Sequence, residues 1–214
     1  VRYRPKPMSS ISLGVDALPT YTHTITTDGE EVTYDHERSI VNYAPSLMVD
    51  LRNDKGLQYM MHYRGSTSQP SMEQLSPVTI QTSPLAQTTG NPDLLPSIRP
   101  MSFMRGSMGR REKRQNLQIF GYMRTVNNAI INRRELDRET GISRTTYENV
   151  NGVYSFSVGG SLSLPLTKSL TSFTNGRFGG NRSKGYVNGE LNTSLSSTVN
   201  LSERVTWSGE YLQS

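Results

Sequence analysis

The chain has 214 residues, no cysteine and a formal net charge of +5. Its length fits one large domain or two small ones, and the absence of cysteine excludes a disulfide framework and a thiolate metal site. Counted with glycine and without tyrosine, the apolar share is about 36%, below the roughly 45–50% of soluble domains. The apolar residues nevertheless recur at every second position. This combination favours an all-β barrel with a polar interior and an apolar exterior.

The sequence contains no run of about 18 apolar residues, the length that a membrane-spanning helix requires. Membrane-spanning strands need only about 9–11 residues each. The first residues, Val1-Arg2-Tyr3-Arg4-Pro5, lack the apolar centre of a signal peptide, and the chain does not begin with Met. A processed product or a fragment would both explain this, and we expect a fragment.

Alternation of apolar and polar residues predicts an antiparallel meander of about nine strands over residues 1–214. The predicted strands are residues 9–18 with a continuation at 20–26, then 41–51, 57–64, 101–108, 117–131, an extended segment from 145, and alternating strands between 153 and 211. The predicted turns and loops are Asp28-Gly29, residues 53–56, a long loop at 66–99, charged segments at 110–114 and 133–141, and turns within 164–171, 179–183 and 199–206.

The alternation also predicts which side chains contact lipid. Residues expected on the lipid face are Val49, Leu57, Tyr59, Phe156, Leu162 and Leu191, with Ser157 and Asn192 on the opposite face. A soluble β-sandwich would show the same alternation. Sandwich strands, however, are typically about 5–6 residues long, whereas several segments here alternate for ten or more.

The long loop after the alternating segment 57–64 is interrupted by proline. Proline lacks an amide donor and has a fixed φ, so we expect neither a helix nor a central strand there. The turn Gly90-Asn91-Pro92 predicts a defined path with at most short strand extensions.

The loop carries a specific order of residues. It reads Gln74-Leu75-Ser76-Pro77, then Ser83-Pro84-Leu85, then Gly90-Asn91-Pro92-Asp93-Leu94 followed by Pro96, and later Tyr147-Glu148-Asn149-Val150-Asn151-Gly152. This order resembles the outer membrane protein beta-barrel family of TonB-dependent-receptor-like proteins of the Bacteroidota type. The resemblance marks Pro77, Gly90, Asn91, Pro92, Leu94 and Pro96 as structural residues of the family motif.

The resemblance implies a location in the cell outer membrane and a transport barrel of which this chain is one segment. The plug domain and the remaining strands would lie outside this chain. The implied partners are outer-membrane lipid and lipopolysaccharide, the missing strands and plug, TonB and a surface lipoprotein.

No catalytic constellation stands out, so we expect no enzyme activity, no cofactor and no metal site. The three histidines, His23, His36 and His62, lack the spacing of a zinc site. The basic residues at 110–114 and 133–144 are interspersed with carboxylates and belong to no nucleic-acid-binding module. Solvated loops are therefore expected there, and nucleic acid is not an expected partner.

Two classes of function remain open. The first is nutrient uptake or surface reception by a barrel whose long loop shapes ligand entry. The second is a structural barrel that scaffolds an outer-membrane assembly, or a soluble β-rich surface adhesin. For the first class, the predicted ligand-contacting residues are Gln74, Asn91, Asp93, Arg133, Arg134 and Arg138.

Overall fold

The computed structural model describes residues 2–6, 9–28, 31–110 and 113–208. These residues form fifteen strands and one short helix. The elements in chain order are β1 (Arg2–Lys6), β2 (Ser9–Asp28), β3 (Glu31–Arg52), β4 (Leu57–Arg64), β5 (Thr67–Ser68), α1 (Met72–Leu75), β6 (Thr79–Ser83), β7 (Ala86–Thr89), β8 (Ser97–Ile98), β9 (Met101–Arg110), β10 (Gln115–Val126), β11 (Ala129–Leu136), β12 (Ser143–Val150), β13 (Val153–Pro165), β14 (Leu170–Val187) and β15 (Glu190–Trp207).

The long strands form one antiparallel ladder in the order β1, β2, β3, β4, β9, β10, β13, β14 and β15. Most of the alternating segments therefore pair with their neighbours along the chain, as the meander predicts. The exception is β10, which pairs with β13, while β11 and β12 between them form a separate hairpin. No second long-stranded sheet packs on this one within the described residues, because the remaining sheet is the two-residue pair of β5 and β8. The sheet thus has the long strands of a barrel wall and not the paired layers of a sandwich.

The pairing register shows that the apolar residues of neighbouring strands share one face. Leu47 pairs with Leu13 and with Tyr63, and Phe178 pairs with Val158 and with Val199. Since directly opposed residues of an antiparallel pair project to the same side, the ladder carries this apolar face from β2 to β15. All six residues expected on the lipid face lie on it, and Ser157 and Asn192 lie on the opposite, polar face.

Four sequence-based boundaries are wrong. Residues 117–131 are not one strand, because Asn127 and Asn128 form a turn between β10 and β11, with Asn128 at φ 52. Asparagine adopts this left-handed conformation more readily than other non-glycine residues. The charged segment 133–141 is a loop only after Leu136, since its first four residues belong to β11.

The other two errors lie in the last third of the chain. Residues 179–183 lie inside β14 and residues 199–206 inside β15. Glycines 179 and 180 suggested a turn, but β13 and β15 pair with that part of β14 from both sides. The reversal occurs instead at Asn188 and Gly189, which have φ values of 52 and 81. The predicted turn at Asp28-Gly29 and the end of the chain after Ser208 lie partly outside the described residues.

The two ends of the sheet differ. At one end the connections are short, as at residues 53–56 between β3 and β4 and 166–169 between β13 and β14. At the other end lie residues 65–100, which we call the cap, and the β11–β12 hairpin. Outer-membrane barrels have short periplasmic turns and longer extracellular loops, so we refer to the short-turn end and the cap end.

The cap is a folded segment and not an open loop. The proline-based exclusion of helix fails at α1, where Ser71 forms a capping box with Gln74. The hairpin of β6 and β7 extends the main sheet, since β7 pairs in parallel with β12. Buried apolar side chains are concentrated here, with Leu75 and Leu94 in the cap and the paired Ala129 and Val150 in the adjacent hairpin.

Gly90 allows the end of β7 to approach α1. A Cβ atom at this position would lie 2.3 Å from the Ser76 carbonyl oxygen and 2.6 Å from that of Glu73. The next residue, Asn91, donates its amide to the Gln74 carbonyl at 2.6 Å. Only glycine fits without displacing the backbone of the helix.

The assignment of faces predicts different responses to arginine at adjacent positions of β15. Leu201 lies on the apolar face near the middle of the strand, and Asn200 lies on the polar face. In a lipid bilayer, Leu201→Arg should lower the free energy of unfolding by about 2–4 kcal/mol, whereas Asn200→Arg should have little effect. Urea titration of the two variants in lipid vesicles would measure this. Ser157 is a poorer control because its side chain is only 5% exposed. Equal losses in both variants would contradict the assignment.

The packing at Gly90 predicts a local effect on the cap. Gly90→Ala should cost about 1–3 kcal/mol, because the new methyl group meets backbone oxygens that belong to a short helix. The measurement is hydrogen exchange of the Asn91 amide together with protease cleavage between residues 70 and 95. Gly185→Ala is the matched control, since nothing lies within 4 Å of its Cβ position. A cap that stays protected in Gly90→Ala would show that the helix can move aside at little cost.

Candidate functional site

The candidate site comprises the polar face of the sheet and the cap above it. The cap is fastened by side-chain amides where the strand ladder ends. Asn149 of β12 accepts the Leu95 amide at 2.7 Å and donates Nδ2 to the carbonyl oxygens of Leu95 and Asn128, at 3.0 and 2.9 Å. One side chain thus satisfies backbone groups of two segments that have no strand partner there.

Further contacts fix the cap to the sheet on both sides. Ser97, which is fully buried, donates its hydroxyl to the Asn128 carbonyl at 2.9 Å. Ile98 and Asn127 exchange two backbone hydrogen bonds, each at 2.9 Å. On the other side, Arg38 of β3 donates to the Leu94 carbonyl at 2.8 Å. The cap is therefore held by β3, by the end of β10 and by the β11–β12 hairpin.

Two ionisable side chains of this region have shifted pKa values. Burial, together with the nearby Glu73 carboxylate, raises the pKa of Tyr147, whose hydroxyl donates to Glu73 at 3.4 Å. In the turn after β11, hydrogen bonds from Thr140 and Glu139, with the charge of Arg144, lower the pKa of Asp137. The first contact joins α1 to β12, and the second stabilises the turn.

The polar face carries more positive than negative side chains. Among the side chains that the structure describes, its arginines in the long strands are Arg38, Arg52, Arg64, Arg105, Arg124, Arg177 and Arg204, and its carboxylates are Asp16, Asp50 and Glu190. Arg52 is paired with Asp50 at 3.2 Å, Arg105 donates to Gln118 at 2.6 Å and Arg177 donates to Ser157 at 2.7 Å. Among the described residues, Arg64, Arg124 and Arg204 form no ion pair. This face is thus a cationic surface with polar hydrogen-bonding groups between the charges.

Concavities lie along this face at three different distances from the cap end. Near the cap end, a hollow of about 200 Å³ is lined by Arg124, Ser155, Asn181 and Ser183. A second of about 310 Å³ lies beside Ser157, Arg177 and Asn200. A third, of about 960 Å³, lies at the short-turn end and is lined by Gln58, Lys55, Lys113 and Arg114. Each presents cations or amides, the groups that bind carboxylate and phosphate oxygens.

The six predicted ligand-contacting residues differ in how their side chains are engaged. Gln74 accepts the Ser71 amide at 2.9 Å within the capping box. Asn91 accepts the Asp93 amide at 3.0 Å and donates to the Tyr147 carbonyl at 3.0 Å. Both side chains are therefore used to build the cap.

Arg133 lies on the side of the apolar face. It is paired with Glu135 at 2.9 Å and with Glu148 at 3.6 Å, and it lies 5.6 Å from the ring centre of Tyr186. Asp93, Arg134 and Arg138 are exposed, and ligand contact by any of the six stays a prediction. The structure does not bring these residues together into one cluster.

The residues of the family motif have distinct structural positions. Gly90 and Leu94 are buried, whereas Pro77 and Pro92 are exposed and Pro96 is partly buried. The side chain of Leu94 is only 1% exposed, so it anchors the cap beside Ser97. The motif therefore marks the segment that packs the cap.

Sequence reasoning missed the roles of Asn149, Asn128 and Arg124. Asn149 lies within the extended segment predicted from residue 145 and looks like any polar strand residue. Only the folded position of the cap beside β12 shows that it binds Leu95. Arg124 lies in the predicted long strand 117–131, where Phe120, Tyr122 and Val126 occupy the neighbouring positions of the same face and give no signal of a polar face.

No helix in the described parts of the chain is long and apolar enough to cross a membrane. In the same residues, no group of three or more His, Asp or Glu side chains is arranged to hold a metal ion.

Comparison with known proteins gives one family and several distant structures, including two siderophore receptors. No curated protein matches the sequence. Siderophore receptor PirA from Pseudomonas aeruginosa superposes with a TM-score of 0.49 at 13% identity, over 94% of this chain and 43% of that receptor. Siderophore receptor PirA from Acinetobacter baumannii superposes with a TM-score of 0.49 at 11% identity, over 96% of this chain and 38% of that receptor. The chain thus spans less than half the length of either receptor.

The family match is independent of those superpositions. It covers residues 20–211, which include the cap, the β11–β12 hairpin and the strands from the middle of β2 onward. The single antiparallel sheet with one apolar and one polar face is the architecture that a membrane barrel requires. The chain belongs to the outer membrane protein beta-barrel family and forms part of a transmembrane β-barrel in the cell outer membrane.

Proposed function

We propose that this chain forms part of the wall and mouth of an outer-membrane receptor that takes up a nutrient carrying carboxylate or phosphate groups. The observation that carries the proposal is the arginine surplus on the polar face beneath a folded cap. In a barrel the polar face lines the lumen, so these arginines would meet whatever enters from the outside.

The distance of each arginine from the cap end suggests its role in ligand binding. Arg124 pairs with Met101 of β9 and Ser155 of β13, close to the cap end. It lines a hollow with Asn181 and Ser183, and no carboxylate neutralises it among the described residues. An anionic ligand could form charge-assisted hydrogen bonds there. Arg204 pairs with Phe173, close to the short-turn end, and lies far from an entering ligand.

The whole receptor would include parts that this chain does not contain. A plug domain and further strands would complete the lumen, TonB would supply energy, and a surface lipoprotein would contact the cap end. We further propose that the protein binds and transports its ligand without chemical conversion. A competing function is a structural barrel that scaffolds a surface assembly, in which the cap would bind protein.

The proposal predicts that Arg124→Ala in the full-length protein lowers uptake of its anionic nutrient by about tenfold, because one bond to a charged group is worth about 1.5–3 kcal/mol. Arg204→Ala is the matched control and should leave uptake close to normal. Uptake of labelled nutrients is measured at equal surface amounts of each variant.

A second variant separates uptake from scaffolding. Replacing residues 80–88 with a short Gly-Ser linker removes the β6–β7 hairpin but keeps Leu75, Gly90 and Leu94, which pack the cap. Reduced uptake at normal surface amount supports a receptor whose mouth is shaped by the cap. Unchanged uptake of every nutrient in both variants would contradict the proposal and favour the structural barrel.

A further inference from the structure

Besides Arg133, two cations of β14 interrupt the apolar face near the cap end. Arg182 of β14 pairs with Tyr154 of β13 and with Leu195 of β15, and all three project to the apolar side. Lys184 lies two residues further along the same face, opposite Thr193. Cations on a lipid-facing surface are costly at mid-membrane and become tolerable at the interface.

Their height matches that interface. Arg182 lies twelve residues along β14 from Leu170, which pairs with Trp207 at the short-turn end. A strand rising about 3.3 Å per residue and tilted by about 40° gains about 30 Å over that length. The apolar band of an outer-membrane barrel is about 25 Å tall. With Trp207 at the inner interface, Arg182 and Lys184 therefore reach the head groups of the outer leaflet.

The two side chains converge on one spot. A Cβ atom at Gly152 would lie 3.5 Å from Lys184 Nζ and 3.6 Å from one terminal guanidinium nitrogen of Arg182. Gly152 has a φ of 84 in the tight turn between β12 and β13. The turn thus presents no side chain of its own, and both cations reach the space above it.

Neither Arg182 nor Lys184 forms an ion pair with any residue that the structure describes. The nearby carboxylates Glu135 and Glu148 are engaged by Arg133. In addition, Nε of Arg182 is buried without a hydrogen-bond partner. Within the described residues, the site therefore holds two positive charges that no carboxylate balances.

We propose that Arg182 and Lys184 bind a phosphate group of lipopolysaccharide in the outer leaflet. A guanidinium and an ammonium at one point match the oxygens of a single phosphate. Directly below, Phe156 and Phe178 meet edge to face at 5.6 Å on the same apolar face. An apolar and aromatic surface therefore lies under the cations, where the acyl chains below a lipopolysaccharide phosphate would pack. The site needs no protein partner.

The test compares lipid retention by variants of the full-length protein purified from outer membranes in mild detergent. In the variant Arg182→Gln with Lys184→Gln, lipopolysaccharide retained after washing should fall by about tenfold. Lys168→Gln is the matched control, because Lys168 lies in the turn at the opposite end of the same β13–β14 hairpin. Heat-dependent migration on gels confirms that each variant is folded. The single variant Arg182→Lys, in which Lys184 is unchanged and both positive charges are kept, should retain most of the lipopolysaccharide that the wild-type protein binds.

A second measurement distinguishes the source of the phosphate and does not depend on uptake. Wild-type protein should melt at a higher temperature in nanodiscs that contain lipopolysaccharide than in phosphatidylcholine nanodiscs, and added inorganic phosphate should not reproduce the shift. The double variant should lose the shift. Equal retention of lipopolysaccharide by the folded double variant and by Lys168→Gln would overturn the proposal, as would a shift obtained with inorganic phosphate alone.

Discussion

The structure depends on one constraint, which is that backbone amides and carbonyls cannot remain unpaired in lipid. Each unpaired group costs several kcal/mol there, so the long strands must pair continuously. The unbroken registers of β10 with β13, and of β14 with β13 and β15, meet this requirement over residues that are rich in serine, glycine and asparagine. Strand formation here follows from ladder pairing more than from the intrinsic β-propensity of the residues.

The same requirement explains the chemistry of the cap. Where the ladder ends, backbone groups need other partners. Asn149 and Ser97 supply them, and the capping box of Ser71 and Gln74 supplies them for α1. Because these partners are short polar side chains with fixed reach, the cap is tied to the wall at defined points. A folded cap can present the same surface to each entering ligand, with little ordering left to occur on binding.

Alternation places opposite chemistry on the two sides of every strand. The polar face collects arginines such as Arg64 and Arg124, and the apolar face carries Leu, Val and Phe with Arg182 and Lys184 at its upper margin. A one-residue slip in register would exchange the two sets. The exchange would place arginine in lipid at mid-membrane, so the charge pattern itself opposes misregistered pairing. Lumen chemistry and lipid contact are therefore set by the same register.

The sequence by itself determined the all-β class and the two faces, because period-two alternation is a local property that does not depend on which strands pair. The outer-membrane location came from the family resemblance of the segment after residue 73. The sequence also identified the segment with Gly90 and Leu94 as special. It did not determine where glycine-rich stretches turn: Gly179 and Gly180 remain extended because two neighbouring strands hold them, while Asn127 and Asn128 turn without glycine or proline. Nor did it reveal that Asn149 fastens Leu95, that Arg133 is neutralised by Glu148, or that Arg182 and Lys184 converge on Gly152. These contacts join residues that are distant along the chain or on adjacent strands, so only the tertiary structure decides them.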